Sequence, residues 1–400
     1  MASYQQDTRM DLDQSPIETL NELRKQCPPD LQEYLNTFED IYDRKLWHQL
    51  TIKIEEFFSI PASGPFQVPL FQHFISDWEN KMNKLKLVTL GLSVVKQFED
   101  RNQALAFLTS LVDKVDTPDT RDAYVHAVME TAYIKLMLND FEGTKESIDK
   151  CEKILDKFDS VETVIHASFY RVAAEYYKAK ANFPEFYKNA LLYLACINLD
   201  DLTPVEKTNR AYDLAISALM GETIYNFGEL VGLIIFYYEL MHPILDDLSG
   251  TPHEWLRNLL FAYNAGDLKK FEMLSVNFIQ LQFLQENIVF LRQKICLMSL
   301  IEAVFQRSSD NRTISFTSIC SVTLLPPEEV EYLIMKALAL KLIRGSIDQV
   351  KEEVMVTWVQ PRVLDLVQID GMRQRLQEWD ENVKKTAIIV ENETPELFIQ

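Results

Sequence analysis

Glycine is scarce in this chain, with ten residues in four hundred. Phosphate-cradling loops and tight hairpins are therefore few, since both rely on backbone conformations that glycine adopts most easily. Cysteine is thin too. Cys27, Cys151, Cys196, Cys296 and Cys320 lie far apart with no C-x-x-C pair. Most sit in apolar helical patterns and read as reduced core thiols of a nucleocytoplasmic protein, not as a disulfide framework. Positive charge is also in deficit: 40 Lys and Arg against 60 Asp and Glu leave a formal net charge of −20. Such a chain repels nucleic-acid phosphates and anionic membranes, which require clustered cations. The longest apolar run, Leu230–Tyr238, stops at Glu239 and is too short for a bilayer, so it reads as a buried helix. Met1–Gln14 is polar and lacks the basic-then-apolar plan of a secretion signal.

Catalytic constellations are missing as well. None of the six histidines (His48, His73, His126, His166, His242, His253) pairs with another at the i, i+4 spacing of a zinc helix. The best metal grouping, His242 with Asp246 and Asp247, lacks a further ligand. There is no G-x-S-x-G elbow, Walker loop or dinucleotide fingerprint. Cys196 lies among Leu194, Ala195 and Ile197, where burial dulls a thiol. Acid pairs such as Glu55-Glu56 read as solvated faces. No catalytic residue, cofactor or metal is assigned, and the chain is expected not to be an enzyme.

What the chain does have is helix after helix. The 47 % apolar and 25 % charged content is that of a soluble globular protein large enough for two or three domains. Ser15-Pro16-Ile17-Glu18 and Thr203-Pro204-Val205-Glu206 each combine an N-cap hydroxyl, a first-turn proline and a glutamate three residues past the cap. Ile165, Phe169, Val172 and Tyr176 line one helix face, with Ala167, Ala173 and Ala174 allowing close approach. After the turn Asn182-Phe183-Pro184, a second face carries Tyr187, Leu191, Leu194 and Ile197. Such hairpins recur every 35–45 residues or so, the spacing of helical repeats. The pattern predicts a right-handed, TPR-like helical-repeat solenoid over 15–275, with a compact irregular bundle left open as the alternative. Ser59–Pro69 reads as a loop separating a short N-terminal cap from the stack. Asn264-Ala265-Gly266-Asp267 reads as a helix end followed at once by an N-cap.

The last third changes character. Glu286–Gln306 reads as a long helix, Ile314 and Phe316 open a strand pattern, and Pro327–Leu340 is an apolar-faced helix. Leu342–Ile347 and Val354–Trp358 read as strands, with Gly345 at a bend. That order is a winged helix, expected over 276–360. Winged helices often read DNA, but the helix that would enter the groove carries Glu328, Glu329 and Glu331 against Lys336, which points to protein instead. Ile343, Gly345, Ile347, Val354, Val356 and Trp358 are the candidate contact residues of this small sheet, whose open edge could pair with a like module. Beyond Pro361 a final helix is expected to 386, with tails at 1–14 and 387–400. Its Ile369, Met372, Leu376, Trp379 and Val383 recur at alternating intervals of three and four, the a/d seam of a coiled coil or bundle, with an ordinary helix packed on its own domain left open as the alternative.

Several strings carry a likeness: Tyr42-Asp43-Arg44-Lys45-Leu46-Trp47-His48-Gln49-Leu50-Thr51, Asn226-Phe227-Gly228-Glu229-Leu230, Met335-Lys336-Ala337-Leu338, Gly345-Ser346-Ile347-Asp348 and, most of all, Thr357-Trp358-Val359-Gln360-Pro361-Arg362-Val363-Leu364-Asp365-Leu366. With the solenoid–winged-helix–helix plan, these make the chain resemble the PCI-domain proteins, and among them the subunits of the proteasome lid over nearly its whole length. The COP9 signalosome and a translation-initiation scaffold hold sister families and are the alternatives, with a winged-helix nucleic-acid binder as the alternative of a different class. The resemblance implies a non-catalytic scaffold subunit without cofactors, in cytoplasm and nucleus. Its implied partners are other PCI-domain lid subunits, the lid helix bundle and the ubiquitin-receptor subunit. One departure stands out: Val231–Glu239, nine mostly apolar residues, interrupts the run from Leu230 to Leu240-Met241-His242-Pro243. Either a helix is lengthened by about two and a half turns, or a splice variant is present. Nine residues at about 100° each turn the downstream face by roughly 180°. The insert is therefore expected to bulge, exposing Ile234, Ile235, Phe236 and Tyr237.

Overall fold

The computed structural model describes residues 16–158, 162–198, 200, 202–227, 244–307, 312–360 and 366–393. Ser15, the Val231–Glu239 insert, His242 and Pro361 lie outside them. The chain is mainly helical and divides into two compact units. One holds the residues up to Ala181 with Asn189–Ile197; the other holds Asn182–Lys188 and the chain from Asn198 on.

Amphipathic helices build the first unit. Its core gathers Phe38, Phe57, Phe74 and Trp78 near the N-terminal end, and Val125, Met129, Ile165 and Val172 farther along. The helix Thr163–Ala179 buries the expected face of Ile165, Phe169, Val172 and Tyr176, and the three small alanines are buried beside it. The helix Phe183–Cys196 is rotated from expectation. Phe186, Tyr187, Asn189, Ala190 and Tyr193 are buried, while Leu191, Leu194 and Ile197 are half-buried. The expected loop at 59–69 is also different: Pro61–Ser63 is a 3-10 turn leading into the helix Gly64–Pro69. Pro61 and Pro65 occupy first-turn positions, where a missing N–H breaks no helical bond. Gln67 Nε2 ties the turn to the helix, donating to Ser63 Oγ at 2.9 Å and to the Phe58 carbonyl at 3.2 Å. Helix is the outcome.

In the second unit the helix Pro204–Met220 begins on the complete capping box. The Glu206 amide donates to Thr203 Oγ1 (3.3 Å) and the Thr203 amide to Glu206 Oε2 (3.0 Å). The Thr203 hydroxyl also donates to Glu206 Oε2 at 2.8 Å, and this bond, ahead of the one from the Thr203 amide, holds the Glu206 carboxyl below its ordinary pKa. Farther on, Gly266 ends the helix Glu254–Ala265 at φ +66, and Asp267 caps the next by accepting from the Lys269 and Lys270 amides. Gly266 is needed twice, since a Cβ would also lie 2.8 Å from Ser299 Cα.

The winged helix follows. The helix Ile288–Phe305 leads to β1 (Thr313–Ser315), the helices Phe316–Thr323 and Pro327–Ala339, then β2 (Ile343–Asp348) and β3 (Glu353–Val359). The sheet is antiparallel in the order β1-β3-β2. Phe316 is not in a strand: Ser315 accepts from the Ser318 amide and caps a helix that Phe316 opens. At Gly345 the β2–β3 register shifts by a bulge, and a Cβ there would sit 2.1 Å from the Met355 carbonyl oxygen. The final helix runs Leu366–Glu393, through and beyond the expected end at 386. Among the described residues no helix is long and apolar enough to cross a membrane.

Candidate partner-binding surfaces

The final helix presents its seam to solvent. Leu376 is 63 % exposed and Trp379 66 %; Met372 and Val383 are exposed as well, and Ile369 is half-buried. Val390 stands seven residues past Val383, so the stripe continues along the same face. Two of the flanking cations pair with acids on their own helix. Arg373 reaches Asp370 at 2.8 Å and Lys384 reaches Asp380 at 2.7 Å. Such exposed pairs are screened by water and contribute little, and they leave the stripe uncovered.

The winged module distributes its candidate residues over two sides of the sheet. Ile343, Val354 and Val356 are buried, as are Val330, Ile334 and Ala337 of the neighbouring helix, so these side chains belong to the module's core and are not available to a partner. Alternation is the reason: successive side chains of a strand point to opposite faces. Gly345 is exposed, and Ile347 and Trp358 are half-buried. The outer side carries Arg344 stacked 4.7 Å over the Trp358 ring, and beside it Met355, 54 % exposed. β2 is an edge strand. On the helix Pro327–Ala339, Glu328, Glu329, Tyr332 and Met335 face solvent, while Lys336 is tied to Gln293 Oε1. The presented surface is acidic and apolar.

A further apolar surface escaped the sequence reading. Met273, Val276, Ile279 and Val289 are each at least 66 % exposed, and a groove of about 620 Å³ opens between Phe271, Val289, Leu325, Tyr332 and Leu333. A signal existed: the helix Ile288–Phe305 is apolar nearly all round, and consecutive Ile288 and Val289 cannot share one inward face.

The remaining candidates hold no assembled chemistry. Burial pushes the Cys151 thiol up to about 12 and Cys296 to about 11, and raises Cys196 too, keeping these sulfurs protonated. Burial lowers His126, with Glu130 opposing. Asp246 accepts from Arg257 Nε at 3.0 Å and Nη2 at 2.7 Å. Among the described residues no three His, Cys, Asp or Glu are grouped to hold a metal.

Comparison with known proteins fits this layout. The model of the PSD13 N-terminal repeats matches residues 34–260. The chain belongs to the family of 26S proteasome non-ATPase regulatory subunit 13. It is similar to the probable 26S proteasome regulatory subunit rpn9 of Schizosaccharomyces pombe, 40 % identical over 395 residues that cover 98 % of this chain and 100 % of that one. It is also similar to homolog A of 26S proteasome non-ATPase regulatory subunit 13 from Arabidopsis thaliana, 38 % identical over 93 % of this chain and 97 % of that one. The third is the 26S proteasome regulatory subunit RPN9 of Saccharomyces cerevisiae, 37 % identical over 92 % and 94 %. Within the subunit 13 family plan, a PCI domain matches at 268–358 and the Rpn9 C-terminal helix at 362–394. The second match contains the whole exposed seam.

Proposed function

We propose that the chain is a non-catalytic structural subunit of the lid of the proteasome regulatory particle, supporting ubiquitin-dependent degradation by holding other subunits in place. The observation that carries this reading is the exposed stripe from Ile369 to Val383. Apolar side chains of this size gain about 1.5–3 kcal/mol each on full burial, and on this chain the stripe faces water. The seam joins a helix bundle with other lid subunits. A second contact, to a neighbouring PCI subunit, uses the edge of β2 with Arg344, Met355 and Trp358, supported by the acidic and apolar helix beside it. Gly345, Ile347 and the backbone at Ile343 belong to that edge, and Val354 and Val356 support it from within. The N-terminal repeats lie near the ubiquitin-receptor subunit, a point that rests on family resemblance alone. Cytoplasm and nucleus are the compartments of this reading.

The test is an affinity-tagged copy purified from cells and analysed by size exclusion and mass spectrometry. Lid subunits in stoichiometric amounts are expected. Recovery as a free monomer, or in one of the two sister assemblies, would overturn the assignment.

A further inference from the structure

Lys294 runs against every ordinary rule for its residue type: it is 1 % exposed, in the apolar helix that opens the winged helix. Its Nζ reaches the end of the helix Pro204–Met220 and donates to three carbonyls, Ala218 at 2.7 Å, Leu219 at 3.0 Å and Gly221 at 2.6 Å. Three acceptors match the three N–H bonds of an ammonium, whereas a neutral amine has two. Ala218 and Leu219 belong to the last turn, whose carbonyls have no partner within the helix. The negative end of the helix dipole lies at the same place and favours a cation. Aromatic rings close the site, with the Phe227 centroid 5.2 Å and the Tyr225 centroid 5.5 Å from Nζ, and Phe290 at 5.9 Å.

The titratable neighbours stay neutral near pH 7. Burial, aided by Glu222, pushes the Tyr225 phenol up to about 12. Burial raises Tyr263, which donates to the Leu291 carbonyl at 2.8 Å, well above its ordinary value, and holds Cys296 protonated. Among the described residues no carboxylate pairs with Lys294, so backbone carbonyls and rings do the work of a counter-ion.

We propose that Lys294 is a latch that makes the end of the Pro204–Met220 helix and the first helix of the winged helix open as one cooperative unit. A grip on the module then also fixes the last turn of that helix and the segment 221–227 behind it. Gly221 tightens the joint: a Cβ there would meet Ile224 Cδ1 at 2.3 Å and the Ser217 carbonyl at 3.0 Å. This inference is independent of which partners the surfaces bind.

Native-state hydrogen exchange on the full chain tests it. In the wild type, amides of 214–227 and of 291–301 are expected to share one opening with one denaturant dependence. In Lys294→Met, which fills similar space without donors, exchange in 214–227 is expected to quicken on the order of tenfold or more. The helix Arg121–Met137 in the other unit should be unaffected. Unchanged exchange at 214–227 in the variant, or two different denaturant dependences in the wild type, overturns the latch. Should the variant not fold, the wild-type comparison decides alone.

Discussion

Two helices of the second unit break the usual burial order in opposite directions. Ile288–Phe305 hides a lysine at 1 % exposure, and Leu366–Glu393 shows a tryptophan at 66 %. Lysine is ordinarily among the least buried residues and tryptophan among the well buried. The contrast separates two uses of a side chain. Lys294 is satisfied completely inside its own fold by three carbonyls. Trp379 shares an exposed stripe with Leu376, and what would complete that stripe is another chain. One residue is enclosed by its own chain, and the other is left facing water.

The largest expected effect separates them directly. Leu376→Asp with Trp379→Asp should weaken incorporation into the lid by several kcal/mol, roughly hundredfold or more, because two buried apolar anchors become charges. Pull-down of tagged double mutant measures this, while circular dichroism and melting of the isolated chain stay as in wild type. Lost helical content in the isolated mutant would show that the seam packs on its own chain, and the contrast would collapse.

Gly345→Ala probes the module between these extremes. A Cβ 2.1 Å from the Met355 carbonyl must force the bulge apart, costing about 2 kcal/mol, within the usual range for overpacking. Denaturant melts would record it. Wild-type stability here would mean that the β2–β3 register is looser than its geometry implies.

Acid–base linkage sharpens the folding side. Burial lowers Lys294 from 10.5 to about 7, while the three carbonyls and the helix dipole oppose the fall by binding the charged form. Between about pH 7 and 10.5 the unfolded chain therefore holds a proton that the folded chain has released. Stability contributed by this group rises with pH across that window, by at most about 1.4 kcal/mol per unit, and levels off below pH 7. The signal is the wild-type melting curve relative to Lys294→Met at each pH. A difference that falls as pH rises would reverse the sign and refute the lowered pKa.

The smallest effect belongs to the cap at the far end of the latched helix. Thr203→Ala removes the hydroxyl that accepts from the Glu206 amide and should cost about 1 kcal/mol, as is usual for losing an N-cap. Urea denaturation resolves a change of that size. A full loss of cooperativity would instead place the latch and the cap in one coupled element.

Much of the fold was legible because its signals are local. The Thr203 capping box, the left-handed Gly266 and the Asp267 cap are each settled within a few residues of chain. The three–four alternation from Ile369 to Val383 likewise needs nothing but helical periodicity. Misreadings arose where residue type was a poorer guide than the partner each side chain or backbone group finds. The stretch 59–69 looked like a loop from its Pro, Gly and Ser content, yet a buried bond from Gln67 Nε2 to Ser63 Oγ ties a 3-10 turn to a short helix there. Phe316 looked like strand, but the Ser315 hydroxyl offered the backbone a helix start. In the sheet, side-chain type marked Ile343, Val354 and Val356 as apolar without revealing that they point inward. The exposed apolar group around Val289 went unread although Ile288 and Val289, being consecutive, cannot both face inward.

From sequence alone follow the helical class, the order of repeats, winged helix and seam, and the acidic character that disfavours nucleic acid; caps, periodicity and net charge are properties of neighbours along the chain or of simple sums. Tertiary structure alone decided which apolar faces are covered, why Gly345 must lack a side chain, and that a lysine lies locked under three carbonyls 73 to 76 residues away in the chain. Burial depends on what the rest of the fold brings to a residue, and no local pattern carries that information.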